Sequence, residues 1–157
     1  MPPNPDPTRI TGTRQDTWEI IVQMGTVSGS GGMHNLGIWD KKTGGDLDSD
    51  EVKYYPGNMG VVQSLGGRLV PNNLTIQRIF DRVDDSGEIN RLLNGVGQAR
   101  MTVTQRPLNI DGSKVGAKRV IWTGVLKRVL IPDVDSEATS AALIEIEVSV
   151  DSAPTWA

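Results

Sequence analysis

Apolar and polar residues alternate with a period of two through most of this chain. In Thr17–Gly25, Trp18, Ile20, Val22 and Met24 share one side, with Glu19, Ile21 and Gln23 on the other. That is the pattern of a strand with a mixed second face. The Gly- and Ser-rich Gly25–Asn35 predicts a mobile loop, Leu36–Lys41 a short strand, and Lys41–Glu51 a polar excursion. Val52–Met59 resumes an extended course. Gly60–Pro71 predicts another strand, interrupted at Gly66 and Gly67, where glycines inside a strand mark a bulge or bend.

Asn73–Arg82 predicts a strand through Leu74, Ile76 and Ile79, with alternation slipping around Arg78. One helix follows. Asp85 or Ser86 would cap it, Glu88 sits in the first turn, and Ile89, Leu92, Leu93 and Val96 keep helical spacing up to Gly95 or Gly97. It is short and one-sided, so it must dock on a sheet to persist.

The C-terminal half is strand again. Ala99–Leu108 alternates, Asp111-Gly112 signals a hairpin turn, and Arg119–Ile131 is long for a compact sandwich. In Leu143–Asp151 the residues Ile144, Ile146, Val148 and Val150 take one face, and Glu145, Glu147, Ser149 and Asp151 the other. Alternation this clean means one packed and one wet face. The sum is a mainly β domain over 14–157, two packed sheets or a flattened barrel with one flanking α-helix and a long loop around 40–60. The proline-rich Met1–Thr13 precedes it and cannot fold alone, so it is either a frayed tail or an extended arm that orders against a partner.

Composition narrows the chemistry. A length of 157 residues suits one domain, and a formal net charge of −3 argues against a basic nucleic-acid binder. No cysteine means no disulfide and no thiolate, and a lone histidine, His34, cannot build a multi-histidine metal site. The N-terminus lacks the apolar core of a signal peptide and no run reaches membrane-spanning length, so the expectation is a soluble protein made in a reducing compartment.

Asp46–Glu51 resembles half a calcium loop, but its sixth and twelfth places hold Glu51 and Gly57 instead of Gly and Glu. The glycines of Ser28–Gly37 lack the Gly-Lys-Ser/Thr ending of a phosphate loop, and Asn94–Arg100 falls at the wrong end of a helix for phosphate. His34 reads as a surface loop residue, and the sequon at Asn73 carries little meaning without a secretory signal. Glu145 and Glu147 stand on an ordinary alternating strand, not in a glycosidase pair. The expectation is a non-enzymatic protein with no cofactor and no metal.

Long strands, large loops and an arm with nothing to pack on describe an assembly subunit. Open sheet edges aggregate unless they are covered or paired, and a closed ring of copies leaves none. At this point Trp122–Asp151 resembles the C-terminal end of phage tail tube proteins: a long strand, a Pro/Asp/Ser connection, a final alternating strand. Gly66–Arg82, the helix, Ala99–Gly116 and the upstream Gly37–Met59 are similar to that family in order and spacing, so the likeness covers roughly Thr13–Asp151.

The resemblance implies two roughly orthogonal sheets flanked by a helix, in subunits that form hexameric rings stacked into a hollow tube that conducts DNA. It implies partners: further copies of the chain, and other tail proteins such as a tape measure and a terminator. It places the protein in a virion tail, made in the host bacterial cytoplasm, with no membrane, and the overall impression leans to a non-contractile tail. By position, Asp40–Gly60 would be the loop between rings, with Asp46, Asp48, Asp50 and Glu51 as its contact candidates, and Met1–Thr13 an arm onto a neighbour.

A DNA passage must not hold its cargo, and each lysine or arginine on phosphate adds salt-dependent attraction. Glu145, Glu147 and Asp151 are therefore the candidates to face the lumen. The alternative is that they face the outer wall or form salt bridges between subunits, and Lys127 and Arg128 on the partner strand stand against an all-acidic lining. Two alternatives remain. One is a related component such as a secretion-system tube, terminator or connector. The other is a monomeric β-sandwich binding module, for which Trp18, Trp39, Trp122, Trp156, Tyr54 and Tyr55 are the aromatic candidates, Trp18 and Trp122 sitting in core-like patterns.

Overall fold

The structure is a computed structural model that describes residues 18–25, 33–109, 112–114, 116, 118–137 and 139–157, with Asp84 described in its backbone alone. The expected arm Met1–Thr13, most of the Gly/Ser loop and Asp111 of the expected turn lie outside the described residues.

The chain is mainly β, with two sheets and one helix among the described residues. The strands are β1 (Trp18–Met24), β2 (His34–Trp39), β3 (Lys41–Gly44), β4 (Leu47–Tyr54), β5 (Gln63–Pro71) and β6 (Leu74–Ile79). Helix α1 (Asp84–Gly95) follows, then β7 (Arg100–Pro107), β8 (Val120–Leu130), β9 (Leu143–Val150) and β10 (Thr155–Trp156). One antiparallel sheet runs in the order β2-β1-β7-β8-β9-β6-β3, with β10 added against β8.

Only Asp40 separates β2 from β3, yet these strands occupy opposite margins of that sheet. The chain itself thus carries one margin to the other and draws the sheet into a flattened barrel. Three hydrogen bonds close the seam: Asp40 N to Gln77 O at 3.0 Å, Ile79 N to Asp40 Oδ2 at 3.3 Å, and Arg78 Nη1 to Leu36 O at 2.7 Å.

Alternation fills the interior. Ile20, Val22 and Met24 from β1, Met101 and Val103 from β7, Leu74 and Ile76 from β6, and Ile144, Ile146, Val148 and Val150 from β9 form one buried core. Each such side chain contributes about 1.5–3 kcal/mol by leaving water. Arg78 breaks the apolar pattern because it points inward at the seam, stacked 4.4 Å from the Trp39 ring and paired with Asp85.

Asp85 is only 1% exposed. It is therefore not the helix cap the sequence predicts. The helix starts at Asp84, with Val83 as N-cap and no side-chain cap bond, while Asp85 accepts from Asp81 N at 2.8 Å and from Arg78. Leu92 and the half-buried Ile89 dock the helix, whereas Leu93 and Val96 stay exposed. The helix ends at Gly95, and Gly97 follows in the left-handed region at φ 81°.

Three further expectations change. Lys41–Glu51 is no polar excursion but β3 and half of β4. His34 belongs to strand β2, with Nε2 2.9 Å from Glu88 Oε2 on the helix, not to a surface loop. Trp39 joins Trp122 in the core, at 2% and 6% exposed.

Gly44 and Gly45 make the exit from the barrel possible. Both take positive φ, 82° and 79°, and a Cβ on Gly44 would lie 2.3 Å from Asn73 O. Beyond them β4 and β5 pair as a separate two-stranded sheet, every residue of β4 being exposed. The long loop around 40–60 is thus organised largely as a hairpin arm. Its ladder skips a residue opposite Asp50, at the predicted bulge, where a Cβ on Gly67 would sit 1.9 Å from Asp50 O.

Candidate assembly interface

The β4–β5 hairpin is fixed at its root. The Trp122 Nε1 donates to Gly45 O at 2.9 Å, and Lys42 stacks 4.4 Å from the same indole. Burial pushes the Lys42 ammonium below its ordinary range, and the Asp46 carboxylate partly restores it. Asn72 closes the root further, its N donating to Asp46 O at 2.9 Å and its Nδ2 to Asp48 Oδ2 at 2.6 Å.

Past the root the hairpin stands clear of the barrel. The register opposes Val52 to Leu65 and Asp48 to Val70, and strand alternation puts Tyr54 on that same face. Leu47, Leu69 and Pro71 line the other side. Val52, Leu65, Leu69 and Val70 are each 38–60% exposed, and at the tip Met59 and Val61 are almost fully so. A two-stranded hairpin is marginal by itself in water, and this one carries apolar side chains on both faces.

The four acids predicted as contacts here do not act as one group. Asp46 and Asp48 brace the root, Glu51 pairs with Lys53 at 2.8 Å, and Asp50 packs its backbone against Gly67. Asp48 and Asp50 lie along an extended strand, so they do not wrap a common centre as a calcium loop would. The residues that sequence reading missed are the apolar ones that follow them along the hairpin. The available signal was an alternating apolar set, Val52, Tyr54, Leu65 and Leu69, in a stretch otherwise rich in charge and glycine.

The second surface is the outer face of β7, β8 and β9. Glu145 and Glu147 sit side by side there, with side chains 15% and 16% exposed. Arg128 reaches both: Nη2 to Glu145 Oε1 at 3.0 Å and Nε to Glu147 Oε2 at 3.4 Å. Glu147 also takes Lys127 Nζ at 3.3 Å and Asn73 Nδ2 at 3.1 Å, and Glu145 accepts from Gln77. Asp151 stands apart in an ion pair with Arg100, and Glu19 on β1 lies 3.7 Å from Arg106.

A bulge explains how Lys127 and Arg128 reach the same side. The β8–β9 ladder skips between Leu126 and Arg128, so Lys127 is the extra residue, and Val129 turns inward opposite Ile146. The three predicted lumen acids are thus outward-facing and matched by cations of their own chain.

Burial alone raises the Glu147 pKa, but hydrogen bonds from Lys127 and Asn73, with the charges of Lys127 and Arg128, outweigh it and hold it below the ordinary range. A lowered carboxylate contributes stability that is complete above its unfolded pKa and lost as pH falls through the folded one. Urea unfolding should show Glu147→Gln less stable than wild type at neutral pH, with the gap closing as pH descends below the usual glutamate range. A gap that stays constant or widens toward acid would overturn this account of the ion-pair network.

No protein-family model and no curated protein matches this sequence. Its fold does recur in solved structures. A chain of the anti-feeding prophage cap, the tube-terminating cap, superposes with TM-score 0.73 at 15% identity, over 97% of this chain and 95% of that one. A chain from the sheath–tube complex of the extracellular contractile injection system PVC, in its extended state, gives 0.68 at 16%, over 94% and 92%. One from the sheath/tube terminator of PVC gives 0.67 at 15%, over 94% and 99%. The chain therefore has a fold found in components of tail-like contractile injection assemblies.

Proposed function

We propose that this chain is a non-catalytic structural subunit of a tail-like tube, assembling with copies of itself into stacked rings. One observation carries the reading: a hairpin with exposed apolar residues on both faces stands away from the barrel, with nothing among the described residues to cover it. In a ring-and-stack assembly that hairpin contacts the neighbouring ring, and the arm Met1–Thr13 lies on an adjacent subunit. The shared fold supports this reading and favours a contractile particle over the non-contractile tail to which the sequence alone leans.

Hexameric rings, passage of DNA and attachment to a virion tail are the finer parts of the proposal, with tape measure and terminator proteins as further partners. The outer face of β7–β9 is the candidate lumen lining, with Glu145, Glu147 and Asp151 on it. Because those acids are paired, such a lining is balanced in charge and gives a polyanion no phosphate-binding row.

A second reading, a terminating cap or terminator, draws on the equally close fold of those chains. Negative-stain microscopy of the purified protein separates the two. Long hollow filaments are expected for a tube subunit and single rings for a terminator. A protein that remains monomeric at all concentrations would overturn both.

A further inference from the structure

On the outer wall the carboxylates of Glu19, Glu145, Glu147 and Asp151 each meet a cation of the same chain. At the two ends of β8 this matching stops. Before β8, the turn after β7 is tightly hydrogen-bonded, with Asn109 N to Ser113 O at 2.7 Å, Gly112 N to Asn109 O at 2.9 Å, and Leu108 bridged to Lys114. It carries Lys114, Lys118 and Arg119, all exposed, against a single acid, Asp111, which lies outside the described residues. After β8, the connection to β9 carries Asp133, Asp135 and Glu137, also exposed. Among the described residues none of these six side chains takes part in an ion pair.

The acidic end is also concave. An open cleft of about 610 Å³ lies between the β8–β9 connection and the start of β9, walled by Leu130, Ile131, Val134 and Leu143, with Asp133 and Asp135 at its rim. Val134 is 97% exposed, so the cleft presents an apolar surface that the described residues leave wet.

The two charge sets sit at opposite ends of an 11-residue strand. At about 3.3 Å per residue that is roughly 33 Å, several Debye lengths at physiological salt, so they cannot neutralise one another within one chain. A second copy can bring them together. We propose that copies dock head to tail, with the basic turn between β7 and β8 of one seated at the acidic cleft of the next. Turn against turn, or cleft against cleft, would oppose like charges, so the contact fixes polarity as well as affinity. Such a heterologous contact repeats, closing into a ring or extending as a filament. The inference rests on the assembly reading above and supplies its directional contact.

The test uses two full-length variants: Lys114→Glu/Lys118→Glu/Arg119→Glu, acidic at both ends, and Asp133→Lys/Asp135→Lys/Glu137→Lys, basic at both. With circular dichroism verifying the fold, sedimentation velocity at low salt should show each variant alone assembling at least about tenfold less than wild type. An equimolar mixture should recover assembly, because unlike ends then meet.

Variants that assemble alone like wild type, or a mixture that stays dissociated while wild type assembles, would overturn head-to-tail docking and leave the assembly reading standing. Wild type that never assembles would overturn both. If a triple reversal unfolds, Lys118→Gln/Arg119→Gln and Asp133→Asn/Asp135→Asn replace it, with loss of salt sensitivity of assembly expected and unchanged sensitivity overturning the proposal.

Discussion

Val52→Asp combined with Leu65→Asp is expected to abolish assembly while leaving the barrel folded. The two residues face each other across the β4–β5 ladder and are 45% and 48% exposed in the isolated chain. Nothing in the barrel packs on them, so the substitution adds charge to a surface that is already wet. Surface changes of that kind shift stability by about 0.5 kcal/mol or less, a change of roughly 2 °C in Tm for a domain of this size.

In the proposed assembly the same positions would become buried. About half of each side chain is already covered, so losing the two there removes ~1.5–3 kcal/mol per contact, and aspartate adds the cost of an unpaired buried charge. At about 1.4 kcal/mol per tenfold, association weakens by at least ~100-fold. Sedimentation velocity and thermal melts on the same samples check both halves. Rings or filaments that persist unchanged would remove the hairpin from the interface. A Tm drop beyond about 5 °C would show that the hairpin supports the barrel after all.

The second large effect lies at the seam. Asp85→Ala should destabilise the fold by ~3–5 kcal/mol, the usual cost of stranding one member of a buried ion pair. Asp85 is 1% and Arg78 16% exposed by side chain, and the guanidinium also holds Leu36 O on β2 and stacks on Trp39. Without the carboxylate, a charge remains at the point where the sheet closes on itself. That loss is a large part of the ~5–15 kcal/mol by which domains are stable.

Urea unfolding measures it, and the paired replacement Arg78→Met/Asp85→Leu should recover most of the deficit by removing both charges together. A cost below about 1 kcal/mol for Asp85→Ala would mean that the seam is held by backbone hydrogen bonds alone.

Much of this architecture is legible in the residues. The alternation in Trp18–Met24 and Leu143–Val150 fixes which side of each strand meets the core, because a one-residue slip would expose the whole apolar set. The helix and its glycine end follow from spacing. The charged neighbours of β9 are less readable. Lys127 and Arg128 cannot share a face by strict alternation, and only the bulge at Lys127 lets both reach Glu147.

The hairpin was obscured for a related reason. Gly60–Pro71 reads as a strand and Val52–Met59 as extended, but the charges and glycines before Val52 look like loop composition, so the pairing of the two runs into a hairpin is not legible. Asp85 illustrates the converse error: an acid at the start of a helix has two possible uses, capping or pairing, and the choice depends on Arg78, a residue from another strand.

By itself, then, the sequence determined the mainly β character, the apolar lining of the barrel and the helix after β6, all of which depend on neighbours a few residues apart. Tertiary structure decided the seam joining β2 to β6, the pairing of the wall carboxylates, the free-standing hairpin and the separation of opposite charges at the two ends of β8. Those features are sums over residues distant in sequence, where direction and distance set the energy. A period of two specifies faces but not which strands become neighbours.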